Sequence, residues 1–267
     1  MNDKPASAEL PSFRLDGRIA VVTGASEGIG RAFALAFAKA GAEVIIASRR
    51  RRKLLEVQRS IRESGGRVQA VTADVSKLVS VHALAKRVAK LAGDKSRPLI
   101  LINNAGFAFT KSALEVTEKD WDHILDVHAK GAFFCTQAIG RLMIERGYGK
   151  IINMSSTWST STDTGKSVYG LAKAAVSYLT AALATEWGPE GVRINAIAPT
   201  TTLSENTIRN MQQNPARAKR LLGRIKLGRF AQPSDMVGAA IFLASPASDF
   251  VTGHTLFVDG GWRTSGW

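Results

Sequence analysis

Cysteine is nearly absent from this chain of 267 residues, which contains only Cys135. A single cysteine excludes an internal disulfide and a cluster of metal-binding thiolates. Because its neighbours Phe133 and Phe134 are apolar, we predict a buried thiol rather than a nucleophile. The four histidines do not have the spacing of a zinc protease, so no metal site is expected.

Long hydrophobic runs are also missing. No segment is apolar over the length that a membrane span needs, so no membrane partner is expected. The first fifteen residues are polar and of mixed charge, and they do not resemble a secretory signal peptide. We therefore expect a cytoplasmic location.

Acidic residues are scarce, with 22 Asp and Glu against 36 Lys and Arg, and the formal net charge is +14. Such an excess can indicate a nucleic-acid binder, a membrane-surface protein or an enzyme for anions. The basic residues concentrate at positions 49–53 and 209–229, and no nucleic-acid-binding motif accompanies them. We therefore expect local causes for the charge and no nucleic-acid partner.

Short apolar segments alternate with helical patterns along the chain. The apolar segments lie at residues 18–23, 44–47, 68–73, 99–103, 150–154, 193–198 and 255–258. The helical patterns lie near residues 29–40, 50–63, 76–92, 118–146, 167–187 and 233–244. This alternation predicts an α/β fold in which helices cover both faces of a parallel sheet. We expect a polar tail at residues 1–15 and one domain over residues 16–267.

A glycine-rich turn, Thr23–Gly30, joins the first predicted strand to the first predicted helix. Glycines at this place allow a tight turn and a close approach of the backbone to a pyrophosphate at the helix N-terminus. The glycines fall at positions 24, 28 and 30, which is not the usual dinucleotide spacing. Glycine-rich turns are often only turns, but the position after the first strand favours a dinucleotide site.

The end of the second predicted strand indicates which dinucleotide is held. An acidic residue there would bind a free ribose 2′-hydroxyl, whereas this chain has Ser48, Arg49 and Arg50. Arginine offers paired donors to a phosphate, and serine adds a hydroxyl. We predict NADP(H) rather than NAD(H). The residues that follow, 51–53, are either further contacts or a solvated basic helix face.

Tyr169 and Lys173 stand four residues apart in a predicted helix, which places them on one face. A nearby ammonium favours the charged form of a phenol, so we expect Lys173 to lower the pKa of Tyr169. A tyrosine of that kind exchanges a proton with an alcohol or a carbonyl. The spacing alone is weak, since two such residues often fall four apart by chance. Ser156 lies thirteen residues before Tyr169.

Together these motifs resemble the short-chain dehydrogenase/reductase family over residues 14–262. Further matching positions are Asp74, Asn103–Gly106, Asn195–Pro199, Thr252–Gly253 and Val258–Gly261. The resemblance is closest to the gluconate and sugar dehydrogenase branch, with the 3-oxoacyl carrier-protein reductases second. It implies a single doubly wound Rossmann domain with a parallel sheet of about seven strands, and a homotetramer.

The resemblance also implies roles for individual residues. Tyr169 would be the general acid or base, Lys173 would hold the nicotinamide ribose, and Ser156 would orient the substrate oxygen, with Ser155 as an alternative. The cofactor would be held by Gly24, Ser26, Glu27, Gly28, Ile29, Gly30, Ser48, Arg49, Arg50, Asp74, Val75, Asn104, Gly106, Tyr169, Lys173, Pro199 and Thr202.

Two positions depart from the family pattern. His128 stands where the family usually has an asparagine that helps to connect the lysine to solvent. It either takes over this role, and is then a catalytic candidate, or satisfies backbone groups at a helix irregularity. Thr200 replaces the glycine that usually follows the proline at position 199, which restricts the backbone beside the nicotinamide.

In this family three segments build the substrate pocket, here residues 107–111, 157–168 and the variable segment at about 200–230. The last would be a lid, and its seven cations against Glu205 either attract an anionic substrate or decorate outer helix faces. Trp158 is either a pocket wall or a partly exposed loop residue. Trp262 and Trp267 are compatible with burial at a subunit interface.

The expected activity is therefore an NADP(H)-dependent hydride transfer to or from a carbonyl or secondary alcohol. A sugar acid, a polyol or a small ketone would be the substrate. The alternatives are a 3-oxoacyl carrier-protein reductase and a non-catalytic NADPH-binding sensor.

Overall fold

The computed structural model describes residues 10–93 and 95–264. The predictions for the first nine residues and for Trp267 fall outside this range. The strands are β1 (Ile19–Thr23), β2 (Glu43–Ser48), β3 (Val68–Thr72), β4 (Leu99–Asn103), β5 (Gly149–Met154), β6 (Val192–Pro199) and β7 (Thr255–Val258). The helices are α1 (Gly28–Lys39), α2 (Arg51–Glu63), α3 (Leu78–Ala92), α4 (Glu118–Leu125), α5 (Gly131–Ile144), α6 (Ser167–Trp187), α7 (Glu205–Gln213), α8 (Pro215–Arg224) and α9 (Val237–Ala244).

All seven strands are parallel and follow the order β3-β2-β1-β4-β5-β6-β7. The central strands β1 and β4 are buried along their whole length, because helices cover both faces of the sheet. The order reverses direction between β1 and β4, so the chain winds outward in two halves. The prediction of a doubly wound Rossmann fold with about seven strands is confirmed.

Each face of the sheet packs against its own layer of helices. Phe33 and Phe37 of α1 lie in the core that α1, α2 and α9 form on one face. Leu84 of α3 and Ile139 of α5 lie in the core on the other face. Cys135 belongs to this second core, and burial raises the pKa of its thiol to about 12. The predicted buried, unreactive thiol is therefore found.

The long helical pattern at residues 118–146 divides into α4, one turn of π-helix at Asp126–Lys130, and α5. Thr117 begins α4 with a capping box, because its hydroxyl accepts from the Asp120 amide and the Asp120 carboxylate accepts from the Thr117 amide. π-Turns inside helices often occur at functional sites. Here the turn carries the buried side chain of His128.

Two helices, α7 and α8, form in the segment that we expected only as a variable lid. Ser204 caps α7 by accepting from the Thr207 amide, and the Asn214 side chain caps α8 by accepting from the Arg217 amide. Both helices are short and amphipathic, and we had expected this segment only as variable. No helix in the described part of the chain is long and apolar enough to cross a bilayer.

Two residues near the ends of the chain differ from expectation. Leu15, placed in the polar tail, is fully buried, and its amide donates to the Ala40 carbonyl. Trp262 is fully buried inside its own chain, where its ring meets Trp158 edge-on. An apolar ring that already packs within the monomer is not available to a subunit interface, so the interface interpretation of Trp262 is wrong.

Candidate active site

A cleft of about 600 Å³ opens along the carboxyl ends of the strands. Residues that follow β1, β2, β3, β4, β5 and β6 line it, and it crosses the β1–β4 switch point of the sheet. Ligands of open α/β sheets bind at this place. Of the predicted site residues, all except Gly30 line the cleft.

The glycine-rich turn forms one wall of the cleft, where it leads into the N-terminus of α1. Gly24 has a φ of +65° and Gly28 a φ of +54°, a region that other residues rarely adopt. A Cβ at Gly24 would lie 2.7 Å from the Cα of Ala105, so the turn packs directly on the residues after β4. Gly30 lies behind this wall, where a Cβ would overlap the Gly24 carbonyl. Gly30 therefore supports the wall by packing, and its contact with the cofactor stays a prediction.

Ser26, Ser48 and two arginines surround the end of β2. The Ser48 hydroxyl donates to the Ser26 hydroxyl at 3.0 Å, and Arg50 donates to Ser26 at 3.1 Å and to Glu27 at 2.8 Å. Arg49 lines the cleft and is exposed. This is a set of two hydroxyls and two guanidiniums that fits a phosphate monoester.

The next three basic residues, 51–53, are not directed into the cleft. Arg51 and Arg52 are exposed and outside the cleft. Lys53 joins two acids, because its ammonium lies 3.0 Å from Glu27 and 3.1 Å from Glu205. The hydrogen bond from Arg50 is the main cause that lowers the pKa of Glu27. The structure therefore supports the solvated-face interpretation for Arg51 and Arg52.

The residues that follow β3 and β4 fit an adenosine and a ribose. Asp74 and Val75 follow β3, and the Asp74 carboxylate accepts from the Ser76 amide and hydroxyl. Asn104 donates to the carbonyls of Thr23 and Gly24, which holds the β4 turn against the glycine-rich turn. These bonds fix the walls of the cleft before any ligand arrives.

Near the other end of the cleft, Pro199 and Thr202 follow β6. The buried Thr200 hydroxyl lines the same wall and has no hydrogen-bond partner within residues 10–93 and 95–264. A buried polar group without a partner is costly, so a ligand with a polar group would stabilise this wall. The residues present therefore fit a dinucleotide with an amide at this end.

Tyr169, Lys173 and Ser156 meet at the floor of the cleft. The Lys173 ammonium donates to the Met154 carbonyl at 2.7 Å and lies 5.8 Å from the centre of the Tyr169 ring. Burial raises the pKa of Tyr169 to about 12, against a hydrogen bond with Ser156 that lowers it. Burial also lowers the pKa of Lys173 to about 7. The expected lowering of the Tyr169 pKa by Lys173 is absent, because burial dominates and the ammonium is directed to Met154.

The two serines after β5 face different ways. The Ser156 hydroxyl accepts from the Trp158 amide at 3.2 Å, while the Ser155 hydroxyl donates to the Lys173 carbonyl at 3.2 Å and bonds Ser177 at 2.7 Å. Ser155 therefore holds α6 to β5, and Ser156 is the hydroxyl beside the tyrosine. Trp158 is buried and lines the cleft, which confirms that it forms a wall.

His128 is buried between the turn after β4 and Tyr169. Its Nε2 lies 3.1 Å from the Phe107 oxygen and 3.3 Å from the Phe107 nitrogen, so either ring tautomer makes one bond to the backbone. Its Nδ1 has no partner in the described residues and lies beside Gly106, where a Cβ would be 2.9 Å away. Burial is the main cause that holds the pKa of His128 well below its usual value.

Lys166 lies in the segment 157–168 that was expected to build the substrate pocket, but the sequence analysis gave it no role of its own. Only 8% of it is exposed, and its ammonium donates to the Phe109 carbonyl at 2.6 Å and to the Thr110 hydroxyl at 2.7 Å. It lies 5.0 Å from the centre of the Tyr169 ring. A lysine three residues before Tyr169, at the start of the same helix, was the available signal, because that spacing is one helical turn.

The basic residues of the 209–229 segment separate into different environments. Arg217 of α8 lines the cleft, whereas Arg220 pairs with Asp163 at 2.8 Å. Arg229 pairs with Asp235 at 2.7 Å, and Arg224 lies 4.2 Å above the Trp262 ring. Most of this charge therefore has structural partners or faces solvent, and only Arg217 faces the cleft.

Comparison with known proteins decides the family. A family model described as enoyl-(acyl carrier protein) reductase matches residues 24–263. The chain belongs to the short-chain dehydrogenase/reductase family. It is an oxidoreductase of this family, as the sequence predicted.

Three relatives illustrate the similarity. The chain is 37% identical to 2-dehydro-3-deoxy-D-gluconate 5-dehydrogenase of Dickeya dadantii, over 95% of this chain and 98% of that one. It is 39% identical to gluconate 5-dehydrogenase of Gluconobacter oxydans, over 93% and 96%. A crystal structure of gluconate 5-dehydrogenase from Burkholderia cenocepacia, in complex with NADP and tartrate, has a TM-score of 0.89 at 36% identity and covers 95% and 98%. The predicted NADP(H) agrees with the cofactor of that structure.

Proposed function

We propose that this protein is an NADP(H)-dependent dehydrogenase that interconverts a secondary alcohol of a sugar acid and the corresponding ketone. The observation that carries the proposal is that two sets of functional groups line the same cleft. Ser156, Tyr169 and Lys173 stand at its floor, and two hydroxyls and two arginines stand at the end of β2. The first set suits proton transfer to a substrate oxygen, and the second suits a 2′-phosphate.

The proton chemistry belongs to Tyr169. Because its pKa is about 12, the phenol is protonated at neutral pH and can donate its proton to a ketone oxygen during reduction. In oxidation the phenolate takes the hydroxyl proton. Ser156 donates a hydrogen bond to the same substrate oxygen and stabilises the charge that develops there. When bound, NADP(H) supplies or accepts the hydride at the substrate carbon.

Lys173 is proposed to act on both the cofactor and Tyr169. It is anchored by its bond to Met154, and its pKa of about 7 allows it to gain and lose a proton near neutral pH. A protonated Lys173 stabilises the phenolate that remains after proton donation. The same ammonium can hold the hydroxyls of the nicotinamide ribose.

For His128 we propose a positioning role. The ring bonds the Phe107 backbone and lies edge-on to Tyr169, so it fixes the phenol relative to the turn after β4. This geometry favours the interpretation that His128 satisfies backbone groups at a helix irregularity over its replacing the asparagine in a proton route.

The segment around α7 and α8 is proposed to be a lid, and the assembly a homotetramer. Both helices line the cleft, and Lys53 ties α7 to the cofactor side through Glu205. Leu171 and Tyr178 are exposed on one face of α6, two turns apart, and are suited to pairing between copies. Light scattering would test the tetramer. A cytoplasmic location fits the use of NADP(H).

A second candidate, reduction of a 3-oxoacyl carrier protein, is favoured by the basic surface. The exposed residues Arg209 and Lys219 are suited to an acidic protein partner. The gluconate reaction and the carrier-protein reaction use the same hydride transfer and differ only in the substrate. The non-catalytic sensor is disfavoured because Ser156, Tyr169 and Lys173 are all present and lie together.

The test is turnover followed through NADPH absorbance, with gluconate, glucitol, 5-ketogluconate and a 3-oxoacyl thioester. We expect the two sugar acids to be the best substrates. Tyr169→Phe should lower kcat by at least about 100-fold. NADPH binding, measured by fluorescence, should remain nearly unchanged. Tight NADPH binding without turnover of any of the four would favour the sensor, and preference for the thioester would favour the carrier-protein reductase.

A further inference from the structure

The substrate end of the cleft has two cations that share one hydroxyl. The Thr110 hydroxyl accepts a hydrogen bond of 2.7 Å from the Lys166 ammonium and one of 3.3 Å from the Arg217 guanidinium. Lys166 belongs to the segment after β5 and Arg217 to α8, so two sides of the cleft converge here. Two cations held this close repel each other unless an anion lies nearby.

The acid in this region, Asp163, pairs mainly with a third cation, Arg220. Its carboxylate lies 2.8 Å and 3.1 Å from the Arg220 guanidinium but 3.5 Å from that of Arg217. Asp163 is the carboxylate whose charge raises the pKa of Lys166, while Arg217 and, above all, burial lower it. One acid therefore faces three cations, and the positive charge is not balanced by the surrounding side chains.

The donors of this pair are also incompletely used. The Lys166 ammonium has three N–H groups, and the structure gives it two oxygen partners, the Phe109 carbonyl and the Thr110 hydroxyl. The Arg217 side chain is 26% exposed and has its longer hydrogen bonds, of 3.3 Å and 3.5 Å, at this end of the cleft. A ligand oxygen placed between the two cations would receive charge-assisted hydrogen bonds from both.

The distance of Lys166 from Tyr169 indicates which groups the ligand must have. The Lys166 ammonium lies 5.0 Å from the centre of the Tyr169 ring, whose hydroxyl contacts the reacting oxygen in the proposed mechanism. An acid group at Lys166 and a reacting alcohol at Tyr169 must therefore belong to one small molecule, separated by a few carbon atoms. A short chain of hydroxylated carbons ending in a carboxylate has this arrangement.

We propose that Lys166 and Arg217 form the carboxylate-binding end of the substrate site and select polyhydroxy acids over neutral polyols. This assignment rests on the proposed function, and it identifies the substrate class at the same site. Neither residue takes part in proton transfer. Their effect is on substrate binding, so it is expected in KM rather than in kcat.

The experiment compares gluconate with glucitol, which has the same carbon chain with a hydroxymethyl group in place of the carboxylate. Arg217→Gln and Lys166→Met should each lower kcat/KM for gluconate about 10- to 100-fold, the range for a charge-assisted hydrogen bond, and lower kcat/KM for glucitol by a much smaller factor. Lys166→Arg should retain most of the gluconate activity. Lys219→Gln removes an exposed charge from α8 outside the cleft and serves as the matched control.

Lys166 also supports the backbone at Phe109, so Lys166→Met can disturb the site itself. Arg217→Gln avoids this problem, because Arg217 makes no backbone acceptor contact among its hydrogen bonds at the cleft. An equal loss for gluconate and glucitol in Arg217→Gln, or no loss for either, would overturn the assignment.

Binding without turnover separates this proposal from the proposed function. Gluconate titrated calorimetrically into the NADPH complex cannot be oxidised, so the measurement reports binding alone. Binding by the wild type that weakens in Arg217→Gln but not in Lys219→Gln supports the carboxylate site even if no substrate turns over. No binding of gluconate by the wild type, or equally strong displacement by inorganic phosphate, would refute a site for hydroxy acids.

Discussion

The imidazole of His128 meets the phenol ring of Tyr169 edge-on, with 5.4 Å between the ring centres. The contact arises from the π-turn at Asp126–Lys130, which turns the imidazole toward the segment after β4. Aromatic pairs prefer such T-shaped arrangements. The position of the proton donor therefore depends on a residue that makes no proton transfer in the proposed mechanism.

The first prediction concerns replacement of this histidine. His128→Ala should lower the free energy of unfolding by about 1–3 kcal/mol, because Phe107 and the Tyr169 ring lose their buried partner. His128→Asn should recover much of this loss, since an amide can bond the same backbone groups. Urea unfolding of the three proteins measures the effect.

The pH profile of the same variants tests the role directly. The pKa of His128 lies well below 6.5, so the ring is neutral throughout the neutral range. The kcat/KM profile of His128→Asn should therefore have the same shape as that of the wild type. A wild-type transition near pH 6.5 that disappears in His128→Asn would show that the histidine itself carries the proton.

Features that depend on residues close together along the chain were predicted, and features that depend on distant residues were not. The buried strands were predicted within one or two residues, because a parallel sheet covered on both faces needs continuous apolar runs. The convergence of Ser156, Tyr169 and Lys173 on one cleft was predicted because Tyr169 and Lys173 are neighbours on one helix and the family pattern adds Ser156. The proposed role of Lys166 was not predicted because its partners Phe109, Thr110 and Arg217 are more than fifty residues away along the chain.

The second prediction concerns cofactor choice. Arg49→Gln and Arg50→Gln should each raise KM for NADPH about tenfold or more, since a charge-assisted bond to the 2′-phosphate is lost. KM for NADH should change little, because NADH has no phosphate at this position. Steady-state kinetics with both cofactors makes the comparison.

Arg52→Gln is the matched control for this prediction. Its side chain is 90% exposed and lies outside the cleft, so the variant loses the same charge and only a 4.0 Å ion pair with Glu56 on the surface of α2. Equal effects of Arg49→Gln and Arg52→Gln on KM for NADPH would mean that the arginines act through general surface charge. Increased salt would then reduce both effects alike.

The third prediction is a pH dependence of substrate selectivity. Burial, followed by the charge of Arg217, lowers the pKa of Lys166 from 10.5 to about 8, while Asp163 raises it. The ring of Tyr169 and the hydroxyl of Thr110 face the same ammonium. The positive charge that attracts a carboxylate is thus present below pH 8 and lost above it. The ratio of kcat/KM for gluconate to that for glucitol should fall as the pH rises through about 8.

A ratio is used because other groups titrate in this range. Lys173, with a pKa of about 7, and Tyr169 affect both substrates and cancel. Lys166→Arg keeps its charge over the whole range and should remove the fall. A ratio that stays constant from pH 7 to pH 9 in the wild type would contradict the prediction.

The last prediction concerns stability at the amino ends of the strands, opposite the cleft. Lys150 of β5 is fully buried, and its ammonium lies 2.8 Å from the Asp249 carboxylate and 3.0 Å from the Ser248 hydroxyl. Removing one member of a buried pair leaves an uncompensated charge, whereas replacing the buried ion by an apolar side chain is often nearly neutral. Asp249 is 44% exposed, so solvent reduces the effect.

Asp249→Ala should therefore lower the free energy of unfolding by about 1–3 kcal/mol, and Lys150→Met should lower it by less. The double variant should be close to Lys150→Met, because no buried ammonium remains to lose its partner and only the bond from the Tyr148 hydroxyl to Asp249 is lost in addition. Urea unfolding gives the three values, and kcat/KM for gluconate should be unchanged in each, since the pair lies away from the cleft. If Lys150→Met is instead the more destabilising of the two single variants, the buried ammonium contributes more through its bond to Ser248 and its packing than it costs in desolvation.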